Sequence, residues 1–125
     1  LRDPDETTLR AAETALESFL NKLETHGGVT INRERLAQFE PVQFDEGIVE
    51  VIEEAAKNRG LSCLRMTSGA GHDAQMVSRI CPSAMVFVPS RGGISHNPLE
   101  HTDADALIAG ARVMLDTVLN MTHAV

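Results

Sequence analysis

Apolar residues recur at helical spacing in three stretches of the chain and run unbroken or alternate in three others. Leu9, Ala12, Leu16, Phe19, Leu20 and Leu23 follow the 3.6-residue period over four turns and predict an amphipathic helix. Residues 1–5 read as the end of a strand running into this helix, with Asp3 as its cap, Pro4 at its first position and Glu6 at N3. Gly27 and Gly28 end it. Val29, Ile31, Arg33 and Arg35 then alternate with their neighbours as an edge strand would. The opening segment therefore predicts strand, helix, strand. Pro41 holds Glu40 out of the helical region, so 39–42 is an extended linker. A domain boundary is placed there, separating 1–43 from 44–125.

Beyond the linker, Asp45 caps a second helix carrying Ile48, Val51, Ile52, Ala55 and Ala56, closed by Gly60. Leu61, Cys63, Leu64 and Met66 form a short apolar strand, and residues 84–88 form another with no polar break. Continuous apolar strands between helices are expected of a parallel sheet covered on both faces, so the fold class expected is α/β. A short helix over 73–81, stopped by Pro82, lies between the two strands. The last helix starts at Thr102-Asp103 and places Leu107, Ile108, Ala111, Leu115, Val118 and Leu119 on its apolar face.

Two glycine loops follow the two apolar strands, Ser68-Gly69-Ala70-Gly71-His72-Asp73 and Gly92-Gly93-Ile94-Ser95-His96-Asn97-Pro98. In a parallel α/β sheet, ligands bind beyond the carboxyl ends of the strands, so both loops are candidate site loops. Gly69 and Gly71 let backbone approach a ligand, and the helix start after them offers N–H groups to an anion. His96 is a candidate metal ligand, with Glu100 or Asp103 orienting its ring. One ligand makes no site, since a catalytic zinc takes about three from protein. His26, His101 and His123 are read as surface residues.

Charge narrows the partners. With 11 Lys and Arg against 18 Asp and Glu, the net charge is -7, and no basic patch offers itself to a nucleic acid. No apolar run approaches the ~20 residues that span a bilayer, so no membrane partner is expected. Cys63 and Cys81 stand in apolar surroundings without metal-ligand spacing and read as packed, reduced thiols, which points to the cytoplasm. Neither a GxSxG elbow nor a P-loop is present. The chain opens on Leu1 rather than Met, as a piece of something longer would.

The two loops, Ser68-Gly-Ala-Gly-His-Asp-Ala-Gln75 and Val88-Pro-Ser-Arg-Gly-Gly-Ile-Ser-His-Asn-Pro-Leu-Glu-His-Thr102, resemble the amidase branch of the M20 metallopeptidase superfamily. Leu-Arg-Asp-Pro-Asp-Glu at the start and Phe-Glu-Pro-Val-Gln-Phe-Asp before the second helix strengthen the match. That branch holds N-carbamoyl-L-amino acid hydrolases, allantoate amidohydrolases and β-ureidopropionases. The resemblance implies a homodimeric enzyme with two zinc or manganese ions per active site, cleaving C–N bonds of ureido or carbamoyl acids. It further implies that 1–43 ends a ferredoxin-like lid and dimerisation domain, while 44–125 ends a zinc-peptidase-like α/β catalytic domain. On this resemblance His96 matches a metal ligand, Gly71 and His72 match substrate contacts, and Arg2 matches the lid arginine that grips the substrate carboxylate. Leu99 and His101 depart from the family, where those positions are often acidic and aromatic. The catalytic glutamate has no counterpart here, so the chain by itself is expected to be inactive. Two other readings of the residues stand beside this one, a non-catalytic module holding an anion beside His72 and a dimerisation piece.

Overall fold

The computed structural model describes residues 1–123, and side chains as far as 122. Four α-helices appear in order: α1 (Glu6–Gly27), α2 (Glu46–Asn58), α3 (Asp73–Val77) and α4 (Ala104–His123), with a single 3-10 turn at Arg91–Gly93. Backbone packing divides the chain into two compact units. One joins Leu1–Gln43 to Thr67–Gly71, and the other joins Phe44–Met66 to His72–Val125.

In the first unit, Asp5 rather than Asp3 caps α1, its carboxylate accepting the Thr8 N–H at 2.7 Å. That bond holds the Asp5 carboxyl below its usual range. Asp3 instead accepts the N–H of Asp5 at 2.8 Å and shapes the entry. The helix ends at Gly28, whose φ of 61° needs a residue without a Cβ. The strand expected after it does not form. Ile31 gives its N–H to Glu24 Oε1 at 3.0 Å, and Arg33 is bound by Glu17 at 2.8 Å, by Asn21 at 2.9 Å and by Glu24. Side chains of α1 thus take up the segment that would otherwise offer itself to a ladder. Leu9 is the buried residue of α1, whereas Leu16, Phe19 and Leu23 are exposed.

The second unit is built on α2 against α4. Asp45 caps α2 by accepting from Ile48 N at 2.9 Å, as the sequence led one to expect. At the other end Leu61 N bonds Ala56 O and Gly60 N bonds Lys57 O, with Gly60 at φ 69°, which makes a Schellman close. The core is Ala55, Ala56 and Val113, with Ile52 and Leu61 packed on it. Gly110 of α4 faces the segment before the second glycine loop, where a Cβ would lie 2.4 Å from Val88 Cγ1. Thr117 is buried without penalty because its hydroxyl donates to Val113 O at 2.8 Å. The apolar face assigned to α4 from periodicity is therefore not the buried one. Leu107, Ile108, Leu115, Val118 and Leu119 are all exposed.

No strand forms among the described residues, so the α/β class and the strand-helix-strand remnant are not borne out. Residues 61–67 and 84–90 join no strand ladder. A strand exists only when another backbone lies ~4.8 Å away to receive its hydrogen bonds. Leu64, at 83% exposed, and Phe87, at 52%, stand largely in water, whereas 84–86 and Val88 are half-buried. The short helix also stops earlier than expected, at Val77, and 78–81 continue as turns. Cys63 and Cys81 are free and exposed, which corrects the expectation of packed thiols.

Candidate functional site

Arg2 and Thr67–Gly71 of the first glycine loop share one compact unit, and there the guanidinium Nη1 donates to the Gly69 carbonyl oxygen. The loop turns on Ser68, whose hydroxyl accepts the Ala70 N–H at 3.2 Å. A Cβ built on Gly69 or Gly71 would meet nothing within 4 Å, so the loop's backbone is approachable from outside. A carbonyl oxygen occupies one of five guanidinium N–H donors, and a planar fork of this kind suits a carboxylate held at two points.

His72 belongs to the second unit and caps α3 with its own ring, Nδ1 accepting the Ala74 N–H at 3.0 Å. The ring thus takes one of the N–H groups at the start of this five-residue helix.

The second loop is closed at its base by Arg91 N donating to His101 O at 2.7 Å. Gly92 and Gly93, at φ 66° and 68°, carry the chain through a left-handed turn that a side chain would resist. Asn97 Oδ1 accepts the Leu99 N–H at 2.9 Å, the Asx turn that an Asn-Pro pair favours. His96 follows with φ 55°, the one non-glycine residue at positive φ among those described. Its backbone N–H donates to Glu100 Oε2 at 2.7 Å. Glu100 therefore holds the backbone of His96 and not its ring. Asp103 is also occupied elsewhere, accepting from Arg91 at 2.6 Å and lying 3.3 Å from His101 Nε2. Neither acid orients the His96 imidazole, which corrects the sequence-based expectation. The hold of Glu100 on a backbone had a faint signal in the sequence, an acid four residues beyond a histidine across a turn.

His26 is exposed with Nδ1 3.0 Å from Lys22 O, and His101 is an exposed residue beside Asp103. The side chain of His123 lies outside the described residues. No group of three or more His, Cys, Asp or Glu able to hold a metal exists among the described residues. The described residues by themselves therefore assemble no metal centre around His96. No described helix is long and apolar enough to cross a membrane.

Residues 5–120 match the model of Peptidase family M20/M25/M40. An allantoate amidohydrolase of Bacillus subtilis is 36% identical over 123 residues, 98% of this chain and 30% of that protein. An N-carbamoyl-L-amino-acid amidohydrolase of Rhizobium meliloti is 34% identical over 125 residues, again 30% of its length. A crystal structure of an amidase of the hydantoinase/carbamoylase family from Burkholderia multivorans superposes with a TM-score of 0.86 at 35% identity. It is covered over 29% of its chain by 95% of this one. The chain thus spans less than a third of the length of these relatives, and on this evidence it belongs to the peptidase family M20/M25/M40.

Proposed function

We propose that this chain is part of a metal-dependent hydrolase of C–N bonds in linear amides, acting on ureido or carbamoyl acids such as N-carbamoyl-L-amino acids or allantoate. The match along nearly the whole chain to two amidohydrolases named for such substrates carries this reading. Arg2 supports it, because a ureido acid brings a carboxylate and Arg2 keeps N–H donors beyond the one given to Gly69. Arg2 grips that carboxylate, Gly71 lets the substrate lie against bare backbone, and His72 contacts it. His96 gives one ligand to zinc or manganese, the other ligands coming from residues outside those described. No bond-breaking step is assigned to the described residues, among which no metal-holding group stands, and on this reading 1–125 alone does not turn over substrate. A cytoplasmic homodimer, joined through the lid unit at 1–43 with the catalytic part at 44–125, completes the proposal.

The test is a titration of the purified chain with N-carbamoyl-L-alanine and with its carboxamide, followed by NMR at Arg2 and 69–71. The acid is expected to shift these signals and the carboxamide is not, with Arg2→Ala abolishing the difference. Equal responses to both compounds would rule out the carboxylate clamp. Release of ammonia from the acid by this chain in the presence of zinc would overturn its inactivity.

A further inference from the structure

We infer that Asp103 is a positioning residue for the second glycine loop, its carboxylate diverted from capping α4 to fasten both ends of the loop that carries His96. This rests on the reading that His96 gives a ligand to the metal of a ureido-acid hydrolase. Three aspartates that precede helices make the comparison. Asp5 and Asp45 each take a first-turn N–H into the carboxylate, from Thr8 at 2.7 Å and from Ile48 at 2.9 Å. Asp103 stands at the same place before α4, and its backbone carbonyl starts the helix by accepting from Ala106 at 3.0 Å and Leu107 at 3.1 Å. Its carboxylate goes elsewhere. Oδ1 accepts from Arg91 Nη2 at 2.6 Å and lies 3.3 Å from His101 Nε2. Aspartate is among the residues best suited to cap a helix, so this engagement with the loop forgoes a bond that the other two make.

Arg91 and His101 are the two ends of the loop. Arg91 N donates to His101 O at 2.7 Å, so the backbone closes the loop once and Asp103 closes it again through the side chains of both ends. The segment entering the loop is seated on the same helix, because a Cβ at Gly110 of α4 would collide with Val88. Entry and base are thus referred to α4. What lies between them needs holding. Gly92, Gly93 and His96 all have positive φ, and the His96 N–H is kept on Glu100 at 2.7 Å. A turn of this kind persists only where its surroundings determine it. A ligand side chain on a loop set beforehand loses less binding free energy to ordering when the metal arrives. Arg91 and Asp103 are both exposed, so their pairing governs the local order of the loop and adds little to the stability of the whole.

Amide hydrogen exchange of the chain, followed by NMR, tests this. Asp103→Ser keeps a good cap for α4 but cannot reach Arg91. Exchange at Arg91 and His96 should quicken about threefold in this variant, while Ala106, Leu107 and the urea midpoint stay where they were. Asp103→Glu keeps the charge and the reach and should restore slow exchange, a split that a residue serving only stability would not show. Arg91→Ala should quicken His96 as much as Asp103→Ser does, and the double variant no further. Unchanged exchange at His96 in Asp103→Ser, or additive effects in the double variant, would overturn the inference. The hydrolase reading beneath it fails by a different result, the absence of any response of Arg2 and 69–71 to N-carbamoyl-L-alanine in the unaltered chain.

Discussion

His96 is the residue at which conformation and role pull apart. Its φ of 55° lies in a region that costs an ordinary side chain about 1–2 kcal/mol. The Glu100 carboxylate at its N–H helps to hold it there. Strain kept at an exposed position is the mark of a residue serving something other than stability. His96→Gly is therefore expected to raise the stability of the chain by roughly 1 kcal/mol, read as a higher urea midpoint. An unchanged or lower midpoint would show that the left-handed turn is not strained. Glycine pairs and the histidine after them could be seen in the sequence. The sign of φ at His96 could not, because it depends on which atom receives the amide.

At the scale of elements, the joint between α2 and α4 is tied by Arg59, whose guanidinium binds both oxygens of Asp116, one at 2.7 Å. The bond lowers the Asp116 carboxyl below its usual value, and Arg65, itself bound by Glu53 and Glu46, lowers that of Glu53. A depressed carboxyl contributes stability above its unfolded value, near pH 4, and loses it as pH falls through the lower folded value. The urea midpoint should thus hold steady above about pH 5 and decline below about pH 4, with the decline reduced in Asp116→Asn. Salt should weaken the contribution throughout, because the pair is partly open to solvent. A midpoint that rose on acidification would contradict this account. Periodicity in the sequence found α4 but assigned it the wrong buried face. Hydropathy favours Leu and Ile, while the buried side of α4 is Val113, packed with Ala55 and Ala56 of α2, and Thr117.

The molecule as a whole leaves much apolar surface in water. Leu36 is 85% exposed and Ile80 likewise, and the segments at 61–67 and 84–90 join no strand ladder besides. Surface of this kind associates. Sedimentation of the purified chain should show mass rising with concentration, and the rise should shrink when Leu64 and Phe87 are replaced by Lys. A monomer at every concentration would show that these segments are covered in solution. The far-ultraviolet circular dichroism should be that of a helical protein, in keeping with four helices and no strand among the described residues.

The sequence by itself determined what is local. The cap at Asp45, the glycine stops at Gly28 and Gly60, the course of α1 and α2 and the family's loop motifs are written in neighbouring residues, because a helix closes its own hydrogen bonds within four residues. Tertiary structure alone decided what needs a distant partner. Apolar residues in a row state that a segment could be a strand, yet only a second backbone beside it makes one, and 61–67 and 84–90 have none here. The same holds for Arg2, whose sequence position says nothing of Gly69.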